Sequence, residues 1–263
     1  NGFVKTWYDQ SGNSNNAVQA TAASQPKIVN AGSLLTKGVT FDGTDDSFIL
    51  TSTLGQTNLG SYFIVSEIDN TSGSKFMFDN RDSGTDGTIL YVSDDEIKLQ
   101  VTSTNVGVNV DTSTSLTSAF RTGSNQTIGI NGGTLSSASN TDTINVTTIP
   151  KIGTRSFTSE THFMAGEIAE LIIYNTDQTD NRRAIEESIA TANGITLASF
   201  NRDGFVKTWY DQSVTTQAGD TATGNHATQA TAANQPKIVD AGTLLTAGVT
   251  FDGGDSLSVS GDP

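Results

Sequence analysis

The sequence predicts an all-β protein: a two-sheet antiparallel sandwich with one short C-terminal helix, the whole unit tandemly repeated. Three observations lead there. Short apolar stretches are separated by Gly, Ser, Thr, Asn and Asp along almost the entire chain, the pattern of strands joined by turns. One segment, near residues 179–194, places apolar residues at helical spacing. The opening residues also recur close to the other end.

In chain order, residues 3–9 alternate, with Phe3, Lys5, Trp7 and Asp9 on one face and Val4, Thr6, Tyr8 and Gln10 on the other. Further strands are expected at 26–29, 38–42, 47–51, 61–68, 75–79, 88–92, 96–102, 105–110, 117–121, 126–130, 134–137, 143–147, 149–153 and 163–174. Ser93-Asp94-Asp95 and Asn131-Gly132-Gly133 read as hairpin turns, since Asn and Gly tolerate positive φ. In 166–175 both faces are apolar: Ile168, Ile172 and Tyr174 on one, Ala169, Leu171 and Ile173 on the other. That strand is expected to be central, with the helix or long loops over its outer face. Glu170 shares a face with Ile168 and, if buried, needs a hydrogen-bond, charged or metal partner. For the helix, Thr179 is the expected cap, Asp180 suits the positive end, Ile185 and Ile189 form an i, i+4 pair, and Gly194 ends it. Large aromatics in a first strand ordinarily pack, so Trp7 is assigned to the core rather than to a sugar platform.

Gly2 to Ser11 returns unchanged as Gly204 to Ser213, 202 residues later. Gln19 to Ala23, Gln25 to Val29 and Val39 to Gly43 return as Gln229 to Ala233, Gln235 to Val239 and Val249 to Gly253, now 210 residues later. The second copy therefore carries about eight extra residues around Val214 to Thr223, an insertion that belongs in a surface loop. A unit of this size is a domain, not a solenoid repeat. The expected organisation is a first sandwich over 1–196, a short packed linker over 197–203, and the incomplete beginning of repeat 2 over 204–263. Residue 1 already sits in a strand-like motif, so no signal peptide is read and the chain is expected to be a segment of something longer.

Lys plus Arg number 14 and Asp plus Glu 28, giving a formal charge of −14 and a pI near 4.3. A nucleic-acid-coating protein needs a basic stripe to displace counterions, so that class is excluded. No stretch reaches the ~18 apolar residues of a membrane span. The absence of cysteine removes disulfides and thiolate metal sites, and two histidines, His162 and His226, do not make a histidine-rich centre. An acidic, cysteine-free chain rich in neutral polar residues leans towards an extracellular, cell-surface or virion setting.

Three segments in succession resemble the laminin-G-like, concanavalin A-like lectin/glucanase superfamily: Trp7 to Asn16, Val39 to Asp46, and Gly166 to Asn175 followed by the helix. The first also resembles the sandwich domain of arabinofuranosidase B and relatives in phage structural proteins. The resemblance implies a jelly-roll sandwich, frequently with a calcium ion, used for glycan or protein binding.

Calcium prefers six to eight oxygen ligands, and two loops offer them: Asp9, Asn13 and Asn15 after the first strand, and Asp42, Asp45 and Asp46 in a Gly-containing turn. The alternative is that these residues simply make turns. In the second copy Asp255 aligns with Asp45, while Ser256 aligns with Asp46, which weakens the metal reading. Asp79, Asp82 and Asp86 form another acidic loop without EF-hand spacing. A glycosidase needs two carboxylates about 5–10 Å apart. Glu67 and Asp69 share a face, Glu167 and Glu170 do not, and the Glu-x-Asp-x-Glu strand of laminarinase-type enzymes is absent. Nucleophile triads and phosphate-binding loops have nothing to build on.

Three functions follow as expectations. The first is a non-enzymatic tandem-repeat binding or adhesion module of an extracellular or virion fibre protein, directed at glycans. Its partners are glycans or neighbouring copies in a homo-oligomeric or filamentous assembly, without nucleic acid or membrane insertion. The second is a purely structural filament or decoration protein. The third is a glycoside hydrolase related to arabinofuranosidase B.

Overall fold

The computed structural model describes residues 1–56, 58–82, 86–157, 160–198, 204–209, 226–240 and 243–259. They fall into two units, Asn1–Ala198 and Ser199–Pro263. The first unit opens with β1 (Gly2–Phe3), β2 (Thr6–Trp7), β3 (Ala17–Val18), β4 (Lys27–Asn30), β5 (Ser33–Leu34), β6 (Val39–Asp42) and β7 (Phe48–Leu50). Its body is β8 (Leu59–Ile68), β9 (Lys75–Asp79), β10 (Thr88–Ser93), β11 (Glu96–Val101), β12 (Thr104–Asn109), β13 (Ser115–Thr122), β14 (Asn125–Ile130) and β15 (Ser136–Ser139). It closes with β16 (Lys151–Ile152), β17 (Ala165–Tyr174) and α1 (Arg182–Asn193).

These strands form two antiparallel sheets. The first runs β1-β4-β6-β17-β8-β13-β14-β15, with β5 beside β4; the second runs β12-β11-β10-β9-β16-β7-β3-β2. Phe41, Tyr62, Ile64, Met77, Phe78, Leu90, Ile97 and Leu99 come from both sheets into one core between them. The other face of the first sheet carries Phe63, Val65, Leu116 and Phe120, which pack with Ile189 of the helix. β8 supplies residues to both clusters in alternation, as its two-sided apolar sequence requires.

Five expectations change in detail. The strand at 3–9 is two strands. Between them the Val4 N–H donates to the Pro26 carbonyl (2.8 Å) and the Lys5 carbonyl accepts from Gln19 (2.9 Å), so the chain steps from one sheet to the other. The faces of 163–174 swap midway, because a bulge lies between Ile168 and Glu170 opposite β8. After it, Leu171 and Ile173 join Ile168 against the inter-sheet core, while Ala169, Ile172 and Tyr174 face the helix cluster. Glu170 then accepts from Asn193 Nδ2 at 2.9 Å. Residues 143–147 are not a strand: side chains replace the ladder, with the Ile144 N–H donating to Asn58 Oδ1 (2.9 Å) and the Asn145 N–H to Asp86 Oδ1 (3.3 Å). The helix starts two residues later than expected, after Asn181, and the Thr179 carbonyl accepts from the Arg182 N–H (3.3 Å) without a side-chain cap. Trp7 is half-buried at the edge of the core, its ring 6.0 Å from Phe48.

Both hairpin turns adopt the left-handed backbone expected of them, with φ of 57° and 64° at Asp94 and Asp95 and 48° at Asn131. Gly194 ends the helix with φ 66° and its N–H on the Ala190 carbonyl. Ser199 to Asp203 of the expected linker and the insertion around Val214 to Thr223 lie outside the described residues.

The second unit contains β18 (Gly204–Phe205), β19 (Thr208–Trp209), β20 (Ala227–Thr228), β21 (Lys237–Asp240), β22 (Thr243–Leu244) and β23 (Ser258–Val259). β18 pairs β21 as Gly204↔Val239 and Phe205↔Lys237, where β1 pairs β4 as Gly2↔Val29 and Phe3↔Lys27. β20 pairs β23 where β3 pairs β7. Counterparts of β8 to β17 do not occur among its described residues.

Candidate functional site

Three groups of polar side chains on the first unit have chemical potential. The first is the turn after β6. Gly43, at φ 78°, lets the chain reverse beside Ala165, and the turn gathers Asp42, Asp45 and Asp46 so that their carboxylate oxygens lie within 4.8 Å of one another. Asp42 Oδ1 accepts from the N–H groups of Thr44 (2.8 Å) and Asp45 (3.3 Å), Asp46 Oδ2 from that of Asp42 (3.0 Å), and Asp45 Oδ2 from Ser24 Oγ (3.4 Å). Asp46 is 6% exposed. Burial first, and then the charge of Asp42, pushes its carboxyl up to about 6, against the pull of the Asp42 N–H. A hard divalent cation would relieve both effects, and one oxygen of each carboxylate has no hydrogen bond among the described residues. The residues fit such an ion.

The other predicted ligands form a separate loop. Asp9 accepts from the N–H groups of Ser11 (2.8 Å) and Asn15 (2.9 Å), and the hydrogen bonds from Ser11 hold its carboxyl below the usual range. Asn13 donates to Ser11 Oγ, and Asn15 Oδ1 accepts from Ser52 Oγ. Asp9 is not among the acidic residues gathered with Asp42.

The second copy is corrected by hydrogen bonding. The Asp252 N–H donates to Asp255 Oδ2 (3.0 Å), as that of Asp42 does to Asp46. Ser256 accepts from Gln229 as Ser47 does from Gln19. Asp255 is therefore the counterpart of the buried Asp46, and the residue without a counterpart is the outer Asp45. The turn has lost one residue, a deletion that letter alignment hides.

The second group lies on the helix side of the first sheet. Glu67 stands directly opposite Glu167 on β17. Lys37 Nζ reaches both Glu67 oxygens (2.8 and 2.7 Å), and Thr114 adds a further hydrogen bond. Lys37 and Thr114 hold the Glu67 carboxyl below its usual value. Burial, then Glu67 and Asp69, raise that of Glu167. In the 79–86 loop, Asp79 is spent on Arg81 (Nη2 to Oδ2, 3.0 Å), and Asp86 accepts from the Asn145 N–H.

The third group was not legible in the sequence. On the outer face of the second sheet the register puts Phe76, Tyr91, Lys98 and Gly107 in one row across β9 to β12. Two loops fold over this row. His162 stacks on Phe76 (4.9 Å, 17°), and Phe76 lies 5.5 Å from Tyr91. The Arg81 guanidinium sits 5.4 Å from the Phe76 ring and 4.9 Å from Phe157, and that of Arg155 lies 4.1 Å over Phe157. Burial, then Arg155 and Arg81, lowers the His162 pKa, so its ring stacks as neutral imidazole at pH 7. Tyr91 Oη donates to Asn105 Oδ1 (2.9 Å). In a strongly acidic chain, this face concentrates cations and aromatic planes.

No family model matches the chain, and no curated protein matches it either. Among solved structures it is similar to a mutant of a GH54 α-L-arabinofuranosidase soaked with 4-nitrophenyl α-L-arabinofuranoside, with TM-score 0.52 and 11% identity over 78% of this chain and 54% of that one. It is also similar to the binding domain of botulinum neurotoxin DC in complex with SialylT, with TM-score 0.50 and 10% identity over 77% and 56%. Ruminococcus gnavus IT-sialidase CBM40 bound to alpha2,3 sialyllactose matches at TM-score 0.42 and 11% identity over 51% and 85%. At these identities the likeness to the first two is one of fold alone: a two-sheet jelly-roll β-sandwich.

Proposed function

We propose that the chain is a non-catalytic, glycan-directed binding module of an extracellular, cell-surface or virion fibre protein, built to act in tandem copies. The observation that carries this reading is the pair of accessible rings, exposed His162 and half-buried Tyr91, packed against the buried Phe76 and flanked by Arg155 and Lys98. Flat apolar rings stack on sugar faces while neighbouring cations and amides orient hydroxyl or acidic groups. Repetition makes weak sites useful, because a second contact forms at high effective concentration. The lectin-like fold and the sugar complexes among its structural neighbours are consistent with it. Calcium at Asp42, Asp45 and Asp46 would stiffen the turn between β6 and β7 rather than touch this face.

A glycan array with and without calcium tests the reading. Binding is expected to survive chelation and to weaken about three- to tenfold in Tyr91→Ala and Arg155→Ala, the size of a lost stacking or cation contact. Absence of binding to any glycan overturns it in favour of a purely structural filament or decoration protein. The Glu67 and Glu167 pair favours a hydrolase as the second reading, since their environments push the two carboxyls apart in acidity. Sugar release from arabinoxylan that Glu67→Gln abolishes would establish that reading instead.

A further inference from the structure

Of the cations around the aromatic face, most are already spent. Arg81 gives Nε and Nη2 to Asp79 (3.1 and 3.0 Å). Lys98 has Glu96 at 3.3 Å and Asp94 at 3.9 Å. Lys151 pairs with Glu160 at 2.7 Å, and Lys75 Nζ donates to the Ser72 carbonyl. Arg155 is the exception. Among the described residues its guanidinium has no hydrogen bond and no carboxylate partner, in a chain with 28 Asp and Glu. Its contact is the Phe157 ring, 4.1 Å away. Arg155 Nε is wholly covered without a partner, which costs stability. Nη1 and Nη2 are not covered in this way, so the forked end of the group stays open to solvent.

The guanidinium is held in place before anything binds. The Arg155 N–H donates to the Thr161 carbonyl (3.2 Å), which also accepts from Thr154 Oγ1 (3.1 Å). The Ser156 N–H donates to Asp79 Oδ2 (3.1 Å) and Ser156 Oγ to the Arg81 carbonyl. The Phe76 N–H closes the other side of the loop on the His162 carbonyl (2.9 Å). A pinned loop with a ring under the charge lowers the ordering cost of binding. From Phe157 the contacts run on without a gap: Arg81 lies 4.9 Å from that ring and 5.4 Å from Phe76, and Phe76 stacks on His162. The charges acting on His162 are those of Arg155 and Arg81. The local field is therefore positive on a molecule of formal charge −14.

We propose that Arg155 anchors the carboxylate of a sugar acid, so that the face selects carboxylate-bearing glycans over neutral ones of the same shape. This assignment rests on the glycan reading of the face and narrows its ligand class. A guanidinium offers two parallel N–H donors to a planar carboxylate, a charge-assisted pair. His162 and Tyr91 then take the apolar side of the sugar ring. Hexuronic and sialic acids both carry the required group.

Calorimetry on the full chain tests this with trigalacturonate and sialyllactose, each beside its methyl ester, which keeps the shape and removes the charge. The acid is expected to bind about tenfold more tightly than its ester. Arg155→Met is expected to erase that preference and leave ester binding as it was, whereas a disordered loop would weaken both. The comparison on the unaltered chain needs no variant, so it decides even if Arg155→Met fails to fold. Preference for one of the two acids identifies the source of the carboxylate. Equal binding of acid and ester overturns the proposal and leaves the glycan reading intact, as does a preference that survives Arg155→Met. If both acids go unbound while neutral glycans on the array bind, the anchor falls alone. If every glycan is silent, the glycan reading falls with it.

Discussion

Asp46 is the side chain whose ionisation the fold opposes most plainly. Its folded pKa, about 6, lies above the ordinary 3.8, so between those values the folded state holds more protons than the unfolded one. Stability is then greatest below about pH 4 as far as this group is concerned, and falls as pH rises through 6. Asp46→Asn keeps an acceptor for the Asp42 N–H, removes this dependence, and should raise stability at pH 7 by about 1–3 kcal/mol. Urea denaturation from pH 4 to pH 7 in chelator measures it, and added calcium should cancel the gain. Glu67 has the opposite sign: its lowered pKa contributes stability above the ordinary 4.5 and loses it on acidification. Lys37→Met should move both Glu67 and Glu167 upward in an NMR titration. The Asp42 turn could be read in the sequence because its ligands are neighbours along the chain. The aromatic and guanidinium face could not, since Phe76, Tyr91, Arg155 and His162 meet only through sheet register and two loops.

Among the elements, β17 and α1 bear the greatest constraints. At Gly166, φ is 136° and a Cβ would stand 2.1 Å from the Glu67 carbonyl oxygen. Gly166→Ala should therefore push β17 off β8 and cost about 2–4 kcal/mol, visible as a lower denaturation midpoint. The helix is fastened by ionic contacts beneath its apolar face. Glu186, fully buried, accepts from Ser118 Oγ and from Arg182 Nε (both 2.6 Å), and Arg182 Nη2 donates to the Gly133 carbonyl (2.7 Å). Arg182→Ala strands a buried carboxylate, and a loss of about 3–5 kcal/mol is expected by chemical denaturation. The helix and most strands were legible from periodicity. The bulge between Ile168 and Glu170 was not, because alternation assumes a residue on each face in turn, and one extra residue silently exchanges the faces beyond it.

For the molecule as a whole, the same residues reach different ends in the two units. Letters alone announced that Gly204 to Ser213 would fold like Gly2 to Ser11, and β18 and β19 form where β1 and β2 form. Burial, however, depends on strands far away in sequence, and these cover Phe41 but not Phe251. Amide exchange should consequently be faster at Phe251 and Val259 than at the matching Phe41 and Leu50 of the first unit. The sheet order also has a mechanical consequence. The first seven residues grip one layer through Gly2 and Phe3 and the other through Thr6 and Trp7, each at the rim. Tension applied at this terminus would peel two rungs from one layer before any load reached its neighbour, so the domain would yield there in separate steps and not by sudden rupture.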